Sequence, residues 1–302
     1  MLNWVIRVAL EVACEDEEQY AAKEDTPTDI AMRLLDTIST AIPNKIIFTP
    51  FMTAIGEYRN HADGLHRKAA VLAIGIMSEG CAEPMKKRLD EIVPNIISAF
   101  DDPEDAVKQA AGLTTGYCAM YLLPQITDYH AQILPALLHA LDRYTGKVKQ
   151  KALYAIDTFC ENCEHEVLEY LELLVPKLAQ TSSEGDDTET KSMAVSALTS
   201  IVCAADKSMT PYFDQLAQFL YNIIANETDN TLKAHSLQCL GQLAQSSGIE
   251  KFQPYQDTVS AIAMEALKTT QSDLREAAFA YFYSIANILN ENFMQYSDFV
   301  MT

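Results

Sequence analysis

The sequence predicts an all-α solenoid of about seven antiparallel helix pairs, and three observations carry that prediction. A basic residue recurs at Arg67, Lys108, Lys149, Lys191, Lys233 and Arg275, in steps of 41, 41, 42, 42 and 42 residues. Each is followed by small and apolar residues at helical spacing, as in GKVKQKALYAIDTFCENCE, where Ala152, Ala155, Ile156 and Phe159 trail Lys149. With ten glycines in 302 residues and no run of strand-like alternation, nothing is left from which to build a sheet. A supersecondary unit repeated at a fixed period cannot bury its apolar face alone, so the units stack. Such an array grows by adding units, and the chain reads as one continuous domain spanning 1–302.

Taken in order, the pairs are expected at about 2–43, 44–80, 82–120, 124–163, 164–205, 208–246 and 249–290. The first helix, LNWVIRVALEVA, puts Leu2, Val5, Ile6, Ala9 and Ala13 on one face, without a capping residue before it. Its charges Arg7 and Glu11, with no basic region ahead, argue against a signal peptide. An acidic loop, 14–27, follows; Glu15, Asp16, Glu17, Glu18, Glu24 and Asp25 face only Lys23, and that charge density disfavours packing. Thr26-Pro27-Thr28-Asp29 then supplies a cap and a first-turn proline, with Ile30, Leu34, Leu35 and Ile38 as the apolar stripe.

The first helices of later pairs carry internal prolines at Pro50, Pro94, Pro135 and Pro176, each removing a ladder bond and bending the helix. Second helices start after turns rich in Asp, Glu, Asn or Gly. Residues 291–302 read as the start of a truncated next repeat, and both ends of the array are expected to leave apolar faces uncovered.

Acids precede the recurring bases: Asp102 before Lys108, Asp142 before Lys149, Glu184 and Asp187 before Lys191, Glu227 and Asp229 before Lys233. At constant spacing they can form a ladder in which each base meets acids of its own and the neighbouring unit. Exposed pairs of this kind contribute about 0.2–1 kcal/mol each, enough to set register while apolar burial holds the stack.

Forty-two acidic against 22 basic side chains give a formal charge of -20, a surface that repels nucleic acid and membranes and attracts basic partners. Solubility alone is the competing explanation. No window is long and apolar enough to span a membrane. The seven cysteines are odd in number and sit among alanines and leucines, as reduced thiols of a cytosolic or nuclear protein would.

Val-Lys-x-x-Ala within DDPEDAVKQAAGLTTG and Val-Lys-x-x-Ala-x-x-Ala-Ile within TGKVKQKALYAI, each after an acidic turn and a proline-bearing helix, match the HEAT pattern. The longer strings RKAAVLAIGIMSEGC, LDEIVPNIISAFDDPEDAVKQAA and ALYAIDTFCENCE, with the acidic loop and DIAMRLLDTISTAIP, resemble the middle of a nuclear transport receptor of the importin-β (karyopherin-β) superfamily, nearest the importin-four class. The resemblance covers essentially the whole chain. It implies a right-handed superhelix whose second helices line a concave face. It also implies binding of lysine-rich nuclear localisation signals of histone or ribosomal cargo, shuttling between cytoplasm and nucleus, contact with Phe-Gly nucleoporins, and cargo release by Ran-GTP acting mainly on repeats N-terminal to this stretch. A HEAT scaffold that assembles folded partners is the alternative.

Counting from the ladder base places the exposed positions in rows. Twelve residues on stand Glu79, Met120, Glu161, Cys203, Gln245 and Asn287; nine on stand Ile76, Tyr117, Thr158, Ser200, Gln242 and Ser284. The helix after Lys149 is richest in polar groups, with Asp157 and Glu161 four apart on one face, Thr158 and Asn162 on another, and Tyr154 a turn earlier. Carboxylates, an amide and an aromatic can wrap a lysine ammonium and its methylene stem. The expected cargo-binding residues are therefore Glu79, Tyr117, Tyr121, Tyr154, Asp157, Thr158, Glu161, Asn162, Ser200 and Gln242. A plain solvated helix face is the competing reading, with Tyr117 and Tyr121 as packing between helices. The acidic loop is a second candidate, for a basic tail or for Ran, against a solvated insertion.

Chemistry is not expected. Cys160, Cys163 and His165 have metal-like spacing without a second half-site, so no metal is assigned. Asp157 and Glu161 have no nucleophile beside them, and neither a phosphate-binding Gly-Lys loop nor a dinucleotide fingerprint is present, so no cofactor and no catalytic residue is assigned.

Overall fold

Thr26 opens the first well-capped helix: its hydroxyl accepts from the Asp29 amide at 3.1 Å while Asp29 Oδ2 accepts from the Thr26 amide at 2.9 Å, a capping box with Pro27 at the first helical position. The computed structural model in which this is seen describes residues 1–15, 26–163, 165–185 and 187–296. Its helices fall into two compact units, Met1–Asn162 and Cys163–Thr302.

The first unit contains α1 (Leu2–Ala13), α2 (Pro27–Ala41), α3 (Asn44–Tyr58), α4 (Gly64–Gly80), α5 (Ala82–Lys86), α6 (Leu89–Ala99), α7 (Asp105–Tyr121), α8 (His130–Arg143) and α9 (Gly146–Glu161). Pro50, Pro94 and Pro135 lie inside α3, α6 and α8. These helices bury one apolar stripe, such as Ile92, Val93, Ile96 and Ala99 of α6. The helices that follow them are covered on several sides, and α7 buries Val107, Ala110, Ala111, Gly112, Thr114, Thr115, Gly116, Cys118 and Ala119. Small residues let α4, α7 and α9 stack directly on one another. A Cβ on Gly112 would stand 2.6 Å from the carbonyl oxygen of Lys151, so only glycine permits that approach. Each leucine or isoleucine removed from water here contributes about 1.5–3 kcal/mol.

The second unit contains α10 (Leu171–Glu184), α11 (Thr188–Ala205), α12 (Phe213–Asn226), α13 (Asn230–Ser247), α14 (Ile249–Leu267) and α15 (Ser272–Leu289). Pro176 lies inside α10. Asp187 and Asp229 cap α11 and α13, accepting from the amides of Thr190 at 2.7 Å and Leu232 at 2.8 Å. The second helix of each pair ends on a left-handed residue, Asp206 (φ 43°), Gly248 (φ 88°) and Asn290 (φ 50°), which stops the helix and turns the chain into the next pair. Phe252, Tyr281 and Phe282 fill the core beneath α14 and α15, and the buried Tyr281 hydroxyl is satisfied by Ser260 at 2.9 Å.

Two expectations need correction. The apolar stripe of α2 is rotated: Ile30 and Leu34 are exposed, while Thr28, Ala31, Met32, Leu35 and Ser39 are buried. Close packing against α4 selects the small residues, and the two buried hydroxyls are satisfied by the backbone of Ala13 and Asp36. The basic residues, moreover, do not form one uniform ladder. Arg67 reaches one repeat onward and grips Asp102 with two bonds, 2.7 and 2.8 Å, largely out of solvent. Lys108 turns back to Asp105 at 2.6 Å and lies 4.8 Å from the centre of the Tyr144 ring. Asp101 is taken instead by Arg143 at 3.0 Å.

Candidate functional site

Gly80 sets the geometry of the site. A Cβ there would stand 2.1 Å from the Ser39 carbonyl oxygen, so α2 and α4 touch backbone to backbone at this point. Asp36, one turn before Ser39, and Glu79, next to Gly80, are thereby brought to the same cleft, close enough to interact electrostatically. On the other side of α4, Thr114 of α7 donates its hydroxyl to the Val71 carbonyl at 2.8 Å. Gly75 leaves room for the Tyr117 ring, whose edge would lie 3.0 Å from a Cβ at that position.

Together α2, α4 and α7 enclose an open cleft of about 510 Å³ lined by Asp29, Met32, Arg33, Asp36, Gly75, Ile76, Glu79, Tyr117 and Tyr121. The Tyr121 hydroxyl lies beside the Glu79 carboxylate. Burial, then the neighbouring Glu79 carboxylate and the charge of Asp36, raise the Tyr121 phenol. Partial burial, and then the charge of Glu79, raise the Asp36 carboxyl. Two carboxylates beside two phenol rings can accept a cation with an apolar stem. Asp29 is partly engaged by its capping box, and Arg33 brings one positive charge to the lining.

Of the residues singled out from the sequence, Glu79, Tyr117 and Tyr121 meet in this cleft. Tyr154 continues the aromatic line on α9: its ring occupies the space above Gly116, where a Cβ would lie 2.3 Å from Cε1, and burial raises its phenol. Tyr154 is also close enough to Tyr117 for the two phenols to interact electrostatically. Asp157 is half-buried and Glu161 exposed on α9. Thr158 is buried, with its hydroxyl donated to the Tyr154 carbonyl at 2.9 Å, and the Asn162 amide donates to the Thr158 carbonyl at 2.8 Å. These two polar groups serve their own helix. In the second unit, Ser200 on α11 and Gln242 on α13 are half-buried. In the acidic loop, Glu15 is exposed, and Asp16, Glu17, Glu18, Glu24 and Asp25 lie outside the described residues.

Asp36 and Asp29 were not singled out from the sequence. Rows were counted from a basic residue, and Thr26 stands 41 residues before Arg67, so α2 had no starting point. The fixed period itself was the usable signal. Among the cysteines, burial pushes the Cys163 thiol up to about 12, which keeps it protonated at neutral pH, while His165 is exposed.

Comparison with known proteins follows the same lines. The pattern of importin subunit beta-1-like TPR repeats matches residues 121–295, and that of the HEAT-like repeat matches residues 65–114. The probable importin subunit beta-4 of Schizosaccharomyces pombe is 28% identical over 301 residues, covering 98% of this chain and 28% of that protein. Importin-4 of Homo sapiens is 25% identical over 299 residues, covering 95% and 27%. Among solved structures, Kap121p bound to Nup53p superimposes with a TM-score of 0.90 at 22% identity, over 99% of this chain and 30% of that one. Kap121p bound to Pho4p superimposes equally well. The chain thus spans under a third of the length of the curated relatives it matches.

Proposed function

The chain belongs to the importin-β family, and from that premise we propose that it is the cargo-holding part of a nuclear import receptor, with the α2–α4–α7 cleft as a lysine pocket. The observation that carries this is the pairing of Asp36 and Glu79 beside Tyr117 and Tyr121. An ammonium placed between the carboxylates relieves their repulsion, and its four-carbon stem lies along the rings. The cargo is a basic localisation signal in extended form, of the kind carried by histones and ribosomal proteins. Tyr154, Asp157 and Glu161 on α9 would take the next basic side chain along the same peptide.

No bond is made or broken in this reading. Selectivity comes from charge and from the methylene stem, and a formal charge of -20 steers basic peptides toward the surface. Phe-Gly nucleoporins and Ran-GTP complete the cycle for the full-length receptor, which shuttles through nuclear pores; the complex of Kap121p with Nup53p supports the nucleoporin part by analogy.

The reading is tested by fluorescence anisotropy with a lysine-rich histone-tail peptide and its lysine-to-alanine counterpart. Saturable binding of the first alone, weakening as salt rises, supports it. Binding only to large folded proteins, with none to the peptide, favours an assembly scaffold.

A further inference from the structure

We propose that the turn between α3 and α4 is a divalent metal site of the zinc class, built by His61, Asp63 and His66. One ligand atom from each of the three side chains lies within 4.8 Å of the other two. Asp63 caps α4 by accepting from the Leu65 amide at 3.0 Å through Oδ1, which leaves Oδ2 pointing at His66 Nδ1, 3.1 Å away. Two ligand atoms bound to one zinc at about 2.0–2.1 Å in a tetrahedron stand roughly 3.3 Å apart, so this pair already has the edge length a metal requires.

The outer side of His66 is arranged as metal-binding histidines are. Its Nε2 faces the Glu11 carboxylate of α1 at 3.8 Å, and Glu11 is in turn held by the Tyr58 hydroxyl. In the metal-free protein the proton between Nδ1 and Asp63 Oδ2 joins the two groups; a metal ion would displace it, and the Glu11 carboxylate is placed to receive the proton then carried on Nε2. The His61 ring is stacked on that of His66 with centroids 3.9 Å apart, and His61 Nδ1 accepts from the Asp63 amide at 3.1 Å. His61 is exposed, so a rotation of its side chain exchanges that bond for a metal bond. Two imidazoles and one carboxylate leave a fourth position for water or for a side chain of a partner. The positive end of α4 opposes a cation, and the charges of Asp63 and Glu11 offset it. A bound metal would fasten the α3–α4 turn to α1 through Glu11.

The test uses the whole chain, treated with chelator and then titrated with Zn2+ by calorimetry and with Co2+ by visible absorption. One equivalent is expected to bind, with d–d bands of a four-coordinate site and a rise in melting temperature. His61→Ala and His66→Ala should each weaken binding at least tenfold, and Cys203→Ser, which removes the exposed thiol, should leave it unchanged. Because His61 is exposed, its variant keeps the test valid if His66→Ala misfolds. Zinc affinity equal to wild type in His61→Ala, loss of binding in Cys203→Ser, or no saturation below millimolar metal would each overturn the proposal.

Discussion

Arg67 of α4 holds Asp102 of the following repeat with two parallel hydrogen bonds, from Nε at 2.7 Å and from Nη2 at 2.8 Å, and both side chains are nearly closed to solvent. The remaining Arg67 nitrogen donates to the carbonyls of His61 and Ala62, so one guanidinium ties the α3–α4 turn to the next one along the stack.

Removing either partner leaves the other desolvated and unpaired. Arg67→Ala and Asp102→Ala are each expected to cost about 2–4 kcal/mol, and the double variant less than their sum. Urea denaturation of the four proteins checks this. Burial raises the Asp102 carboxyl, but the Arg67 bonds, the Glu104 amide and the charges of Arg67 and Lys108 outweigh it and bring the carboxyl below its ordinary range. A depressed folded pKa gives stability that is present above the unfolded value, about 3.9, and lost as pH falls through the folded one. Wild type should therefore lose stability below about pH 4, and the part due to this pair should be missing from Arg67→Ala.

Gly80→Ala should destabilise by about 1–3 kcal/mol, because the added methyl meets the Ser39 backbone, which cannot swing aside as a side chain would. It should also weaken basic-peptide binding, since pushing α2 from α4 separates Asp36 from Glu79. Thermal melts and a peptide titration on the same sample read both effects.

Asp36→Asn separates stability from binding. A carboxyl whose folded pKa is raised by burial and by Glu79 costs stability above that pKa, so the amide should be neutral or slightly stabilising at pH 7. Peptide affinity should nevertheless fall about three- to tenfold. In wild type, affinity should begin to drop at a higher pH than an unperturbed aspartate would give, as Asp36 takes up its proton.

Tyr121→Phe removes the hydroxyl beside Glu79 while keeping the ring. Tyr121 sits at the surface, so folding should change by less than about 1 kcal/mol. Peptide affinity should fall less than for Asp36→Asn, because the stem contact survives. Tyr121→Ala should lose more than Tyr121→Phe in the same titration.

The fixed period made the stack of helix pairs readable, because each repeat must bury the same face against its neighbours. It also placed the surface line: Glu79, Met120, Glu161, Cys203, Gln245 and Asn287, twelve residues beyond each base, are all exposed, and the Asn287 amide reaches Gln245 of the preceding repeat at 3.5 Å. The next row inward was less legible. Thr158 and Ser284 are buried, since a hydroxyl that can bond its own helix or tolerate burial enters the interface as readily as alanine. Asp36 was hidden for a different reason. Its helix has no basic residue at the repeat position, and α2 is turned by its close contact with Gly80, which buries Leu35 of the expected stripe but leaves Ile30 and Leu34 exposed. The His61–His66 contact arises from two residues on one turn, and only the stacking of their rings reveals it.

The most direct test of the lysine-pocket reading is anisotropy of a labelled lysine-rich histone-tail peptide with wild type, Asp36→Ala/Glu79→Ala and Asp157→Ala/Glu161→Ala, at low and moderate salt. The expected result is saturable, salt-sensitive binding to wild type, at least tenfold weaker in the Asp36/Glu79 double variant and less affected in the α9 variant, with helical circular dichroism unchanged in all three. Wild-type affinity in the Asp36/Glu79 variant would contradict the account and move the cargo site elsewhere on the acidic surface.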